Sequence, residues 1–274
     1  MNNLELNFRQ VEPYVPGEQP DLPDMIKLNT NENPYPPSPK VAEALRAFDV
    51  DSLRLYPDPA SQVLVDALAK KYHVRAEQIY TGVGSDDVLA IAFLTCFNSG
   101  KPILFPDITY SFYDVWAELF QIPYERPALD ENFDLCLEDY MQENGGIVLA
   151  NPNAPTGVNQ DEQFLRKVIE ANPQVVVIID EAYADFCGYT ALPLVDEYEN
   201  LVVIQTFSKS RAMAGIRIGY AIGNAALIKA MNDVRYSFNS YPMTRLSVAL
   251  GKAALEVDVY FVVICYSLVV KRVV

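Results

Sequence analysis

The sequence predicts an α/β protein: a three-layer αβα large domain in which a mostly parallel sheet is covered by helices on both faces. Two observations carry that reading. Short apolar runs alternate with helical patterns along most of the chain, and strands buried on both faces read as continuous apolar segments. Residues able to do chemistry stand directly after several of these runs, where α/β sheets gather their ligand-binding groups.

Taken in order, residues 1–40 are rich in proline and asparagine, with Asn29-Thr30-Asn31-Glu32-Asn33-Pro34 followed by Pro36-Pro37-Ser38-Pro39. Such a stretch cannot form regular helix and is expected to be an ordered arm laid on the rest. Residues 41–255 form the body. Strands are expected at 78–80, 102–105, 146–150, 175–179, 201–204 and 219–222, each a short apolar run. Residues 85–97 fit a helix capped by Ser85 or Asp86 and stopped near Gly100. Residues 161–171 fit another, with Phe164, Leu165, Val168 and Ile169 as its inner stripe.

Residues 256–274 break the scheme, because 257–270 are nearly all apolar. The uninterrupted part falls short of the roughly 20 residues that span a bilayer. A buried strand, or an abnormal terminus from truncation or a shifted reading frame, is expected there.

At 274 residues, half of them hydrophobic, the chain can bury a full core. Its net charge of −15 argues against nucleic acid or an anionic membrane as main partner. Any phosphate must be held by a local site. Cys96, Cys136, Cys187 and Cys265 show no CxxC spacing and His73 is the only histidine, so no metal site is expected. The start, Met1-Asn2-Asn3-Leu4-Glu5, lacks the features of a secretory signal, and a cytoplasmic protein is expected.

The chemistry centres on Thr206-Phe207-Ser208-Lys209-Ser210, which follows the apolar run Leu201-Val202-Val203-Ile204 and precedes Gly215 and Arg217. Alone this could be a surface Ser/Lys turn. At a strand end, burial frees the amine of Lys209 for condensation with an aldehyde. Four other segments agree with it. Thr81-Gly82-Val83-Gly84-Ser85-Asp86-Asp87 joins a strand to a helix through glycines and can hold phosphate on free N–H groups, though it is not a dinucleotide fingerprint. Asp180-Glu181-Ala182-Tyr183 puts a carboxylate and a phenol at the sheet edge, where a lone aspartate would be read as a helix cap. Asn151-Pro152-Asn153-Ala154-Pro155-Thr156-Gly157 makes a sharp turn after a strand. Asp107-Ile108-Thr109-Tyr110 sets an aromatic ring at the same edge, unless it is simply core.

In this order these residues resemble the fold-type I pyridoxal-phosphate aminotransferases over about residues 5–250. Glu12-Pro13-Tyr14, Leu28-Asn29-Thr30-Asn31-Glu32-Asn33-Pro34 and Arg54-Leu55-Tyr56-Pro57 look like the histidinol-phosphate aminotransferases of histidine biosynthesis. The resemblance implies pyridoxal 5'-phosphate as cofactor, amino-acid and keto-acid substrates, and a homodimer. It makes Lys209 the Schiff-base lysine and proton carrier, Asp180 the partner of the pyridine nitrogen, Tyr183 the donor to the ring oxygen and Tyr110 the stacking ring. Gly84, Ser85, Asp86, Thr206, Ser208 and Arg217 would hold the phosphate, with Tyr56 reaching a neighbouring subunit's cofactor. Tyr14 and Asn31 would face the substrate.

The family's usual asparagine before Pro155 is here Ala154, and Asn153 is its candidate replacement. After Leu250 no counterpart of the family's small domain and substrate-clamping arginine follows, so that domain is expected to be largely missing. The alternatives are another aminotransferase or a phosphothreonine decarboxylase of this fold, or a truncated fragment that binds cofactor or dimerises without catalysis.

Overall fold

The computed structural model describes residues 7–18, 22 and 25–270. Met1 to Glu5, on which the expected lack of a secretory signal rests, lie outside the described residues. Among the described residues all strands belong to one seven-stranded sheet, made of β1 (Ile79–Gly82), β2 (Ile103–Leu104), β3 (Tyr124–Glu125), β4 (Ile147–Ala150), β5 (Val177–Asp180), β6 (Leu201–Thr206) and β7 (Gly219–Gly223). The strand order is β1-β7-β6-β5-β4-β2-β3. β7 alone runs against its neighbours β1 and β6; the other pairs are parallel.

The apolar runs became strands because both of their faces are covered. Ile147, Leu149, Val177, Ile179, Leu201 and Val203 point into one core layer, while Val148, Ile178, Val202 and Ile204 point into the other. This is the two-residue period of a strand. The first layer is closed by α2 (Gln62–Tyr72), α5 (Glu162–Ala171) and α8 (Arg245–Leu255). The second is closed by α3 (Ser85–Cys96), α4 (Tyr113–Phe120) and α7 (Ala225–Phe238), while the one-turn α6 (Ala184–Cys187) follows β5. In α5, Asp161 caps the helix by accepting from the Phe164 N–H at 2.8 Å, and Leu165, Val168 and Ile169 are fully buried. Each buried side chain of this kind contributes about 1.5–3 kcal/mol. Phe164 is only partly buried at the edge of that stripe.

Three elements differ from the sequence reading. The cap of α3 is Gly84, at φ +85°, so Ser85 and Asp86 lie inside the first turn. Asp87 instead turns back to accept from the Val83 N–H at 2.9 Å. β3 escaped notice because it is two residues long, neither of them in an apolar run. The segment expected as a buried strand is a helix, α9 (Asp258–Val270). An all-apolar stretch has no periodicity to separate helix from strand.

Phe261, Ile264 and Cys265 of α9 are buried, while Val259, Val262, Val263 and Tyr266 face outward. The helix is fastened by an ion pair between Asp258 and Lys71 and by the Tyr260 hydroxyl, which donates to the Pro36 carbonyl at 3.0 Å. Among the described residues no single helix is long and apolar enough to cross a membrane; α8 and α9 together reach that length but meet at 80°. Among its described residues the arm has a 3-10 turn at Asn29–Asn31 before α1 (Pro39–Arg46) begins.

Candidate active site

β4, β5 and β6 end side by side, with Ala150, Asp180 and Ile204 in register. Asp180 is therefore delivered to the carboxyl edge of the sheet at its centre. Its side chain is buried, which pushes its pKa up to about 6 against the opposing effect of two hydrogen bonds. The Tyr113 hydroxyl donates to Oδ2 at 2.8 Å, and the Ala182 N–H donates to Oδ1 at 3.2 Å.

Lys209 emerges from the loop after β6. Burial lowers its pKa, favouring the neutral amine. Its Nζ donates to the Thr30 carbonyl at 2.6 Å and lies 5.7 Å from the centre of the Tyr183 ring. Asn31 Nδ2 donates to the Tyr183 hydroxyl at 2.9 Å, and Asn33 Nδ2 donates to the Lys209 carbonyl at 3.0 Å. The arm thus meets the strand-end residues, and Asp180, Tyr183, Lys209 and Asn31 share one locus.

A second cluster lies at the start of α3. A glycine cap has no side chain to accept from the helix's first-turn N–H groups, so these remain available to an anion. A Cβ on Gly84 would come within 2.4 Å of Arg217 Nη2, and one on Gly219 within 2.4 Å of Ser85 N. The two glycines let β7, Arg217 and the start of α3 converge. Arg217 Nη2 bonds Asp86 Oδ2 at 3.0 Å, and Tyr110 donates to Asp86 Oδ1 at 2.8 Å. Thr206 Oγ1 donates to Ser208 Oγ at 3.0 Å and accepts from the Ser208 N–H at 3.1 Å.

Other expected residues stand apart. Asn153 Nδ2 donates to the Ile108 carbonyl at 2.9 Å and to Thr156 Oγ1 at 3.0 Å, while its Oδ1 accepts from Thr109 at 2.7 Å. Both amide hydrogens are used to fasten the loop. Tyr14 packs on Phe112 with ring centres 4.4 Å apart, at the rim beyond Tyr110. Tyr56 is 79% exposed and rests on Tyr241, with centres 5.0 Å apart.

Sequence reasoning missed Tyr113, Asn33 and the Thr30 carbonyl. Tyr113 had one usable signal, its place three residues after Tyr110, whose ring it meets edge-on at 5.7 Å.

A family model described as aminotransferase class I and II matches residues 23–259, and the chain belongs to that family. Its relatives narrow the class. A histidinol-phosphate aminotransferase of Lactococcus lactis subsp. cremoris is 51% identical over 255 residues, covering 93% of this chain and 72% of the relative. The histidinol-phosphate aminotransferase of Acinetobacter baylyi is 49% identical, covering 96% and 74%. The solved histidinol-phosphate aminotransferase of Sinorhizobium meliloti, in complex with pyridoxal-5'-phosphate, superposes with a TM-score of 0.81 at 24% identity, covering 89% of this chain and 67% of that one. This last likeness is one of fold.

Pyridoxal phosphate is the cofactor of this class, and the residues present fit it. The open start of α3 and the Arg217 guanidinium suit a phosphate, the buried Asp180 carboxylate suits a cationic ring nitrogen, and Lys209 suits an aldehyde.

Proposed function

We propose that the chain is a histidinol-phosphate transaminase of histidine biosynthesis, exchanging the amino group between L-glutamate and imidazole-acetol phosphate to give 2-oxoglutarate and L-histidinol phosphate. The observation that carries the chemistry is the convergence of Asp180, Tyr183 and Lys209 at adjacent strand ends, closed by Asn31 of the arm. Relatives of about half identity over nearly the whole chain support the substrate.

Bound pyridoxal phosphate supplies an aldehyde that condenses with amines and a ring that takes up the electron pair left on the substrate carbon. The chain's residues do the rest. Lys209 Nζ, whose pKa burial lowers toward the reactive neutral amine, would hold the cofactor and, once displaced by the amino substrate, would take the proton from the substrate Cα. Asp180 holds the ring nitrogen in its protonated form. Tyr183 hydrogen-bonds the ring hydroxyl oxygen, and Asn31 orients Tyr183. Tyr110 stacks on the ring.

The N–H groups of Ser85 and Asp86, the hydroxyls of Thr206 and Ser208, and Arg217 would bind the phosphate beside Gly84, whose own N–H donates to the Gly82 carbonyl at 3.0 Å. The Arg217 pair with Asp86 is half exposed and worth at most about 1 kcal/mol, so a phosphate dianion displaces it readily. Asn153 stays with its loop and does not take over the role of the asparagine replaced by Ala154.

Tyr14 closes over the substrate. Tyr56 reaches the cofactor phosphate of a second subunit, a role supported by its exposure and by the groove of about 480 Å³ between residues 53–57 and 241–245. On this reading the working unit is a homodimer.

The test is transamination of 2-oxoglutarate by L-histidinol phosphate, followed through glutamate formation. Turnover with histidinol phosphate well above that with aspartate or tyrosine is expected. Preference for another amine would overturn the substrate, and cofactor binding without turnover would overturn the activity.

A further inference from the structure

We propose that Tyr113 is a positioning residue for transamination, fixing the plane of the Asp180 carboxylate so that its free lone pairs face the ring nitrogen of the cofactor. This rests on the reading of Asp180 as the partner of that nitrogen. Tyr113 is the first residue of α4 and is fully buried. Its ring is held on several sides: edge-on by Phe105 and Tyr110 at 5.8 and 5.7 Å, and stacked with Phe93 at 6.2 Å. Confined in this way, the ring leaves its hydroxyl one direction, toward Asp180 Oδ2 at 2.8 Å.

The second donor to Asp180 is the Ala182 N–H, on Oδ1 at 3.2 Å. One donor on each oxygen defines the carboxylate plane, and the main-chain donor alone would let Oδ2 turn. Tyr113 is also a one-way donor. Burial, reinforced by the neighbouring Asp180 charge, holds its ionisation well above the ordinary tyrosine range, so the proton stays on the phenol. The phenol serves a second purpose: a buried carboxylate tends toward its neutral form, which cannot hold a cationic ring nitrogen, and each donor to it opposes that drift. The same hydrogen bond therefore sets both orientation and charge.

Tyr113→Phe keeps the ring and removes only the hydroxyl. The variant is expected to fold and bind cofactor, to lose about 10-fold in kcat with KM for histidinol phosphate nearly unchanged, and to show the acidic limb of kcat at higher pH. The 15N signal of labelled cofactor should show a ring nitrogen that loses its proton at lower pH than in the wild type. Site-specific 3-fluorotyrosine at 113, a stronger donor, should move the acidic limb the opposite way, and this arm stands even if Tyr113→Phe does not fold. An unchanged acidic limb and ring-nitrogen signal in both variants overturn the proposal, whatever happens to thermal stability. Asp180→Ala separates the two levels: if it abolishes turnover while the Tyr113 variants are silent, only the role of Tyr113 falls. If Asp180→Ala remains active, both readings fall.

Discussion

Lys209 Nζ donates a hydrogen bond to the main-chain carbonyl of Thr30 at 2.6 Å, across 179 positions of sequence. The nucleophile of the proposed reaction is thereby seated against an arm that has almost no regular structure. Asn33 secures the same junction through its bond to the Lys209 carbonyl.

Asn33→Ala removes that tie without touching the cofactor. A net hydrogen bond of this kind is worth about 0.5–1.5 kcal/mol, so the rate of cofactor attachment should fall about 3–10-fold while the melting temperature moves little. Stopped-flow absorbance on the apoprotein measures it. An unchanged rate would mean that the arm does not position the lysine.

Burial lowers the pKa of Lys209 below the 10.5 of a free lysine. The neutral amine is the reactive form, so the attachment rate should rise with pH and level off at a midpoint below 10.5. A midpoint at or above the free-lysine value would contradict the buried setting.

A Cβ on Gly219 would meet Gly84 C and Ser85 N at 2.4 Å, both of them backbone atoms that cannot swing aside. Gly219→Ala should cost about 1–3 kcal/mol and weaken cofactor binding by opening the start of α3. Gly215→Ala is the control, since nothing lies within 4 Å of its added Cβ. Thermal melts with and without cofactor compare the two, and equal behaviour would remove the argument for close approach.

Glu181 is buried beside Asp180, accepting from Thr190 at 2.5 Å and from Gln205 at 2.7 Å. Burial pushes its pKa from 4.5 up to about 7. Between those values the folded chain holds a proton that the unfolded chain has released, so this group's contribution to stability is full below the lower value and is lost as pH rises through the upper one. The excess stability of wild type over Glu181→Gln should therefore shrink by roughly 3 kcal/mol across that window. Urea unfolding at about pH 5 and about pH 8 tests this, and a difference that stays constant would show that Glu181 does not titrate there.

How much was legible in the sequence depended on whether an element was repeated in pattern or single in kind. The inner strands β4, β5 and β6 were plain because covered parallel strands must be apolar at every position. Asp180 and Lys209 stood out as charged residues at, or just past, the ends of these runs. β3 and α9 failed for opposite reasons, one too short to show a pattern and the other too uniformly apolar to have one.

Ser85 or Asp86 is the cap the sequence suggests, since serine and aspartate are common caps, whereas the structure uses Gly84, whose lack of a side chain keeps the helix start open. Tyr113 is part of the core, and the direction of its hydroxyl exists only in the packed chain. The Thr30 carbonyl is a backbone atom and so carries no mark in the sequence.

Reduction of the cofactor-loaded protein with borohydride, followed by peptide mass analysis, tests the central assignment most directly. Hydride converts the carbon–nitrogen double bond between lysine and cofactor into a stable single bond, marking the lysine that holds it. The label should fall on the peptide containing Lys209 and disappear in Lys209→Ala, and pretreatment with L-histidinol phosphate should prevent it by displacing the lysine. A label on another lysine, or one that histidinol phosphate leaves in place, would contradict the assignment.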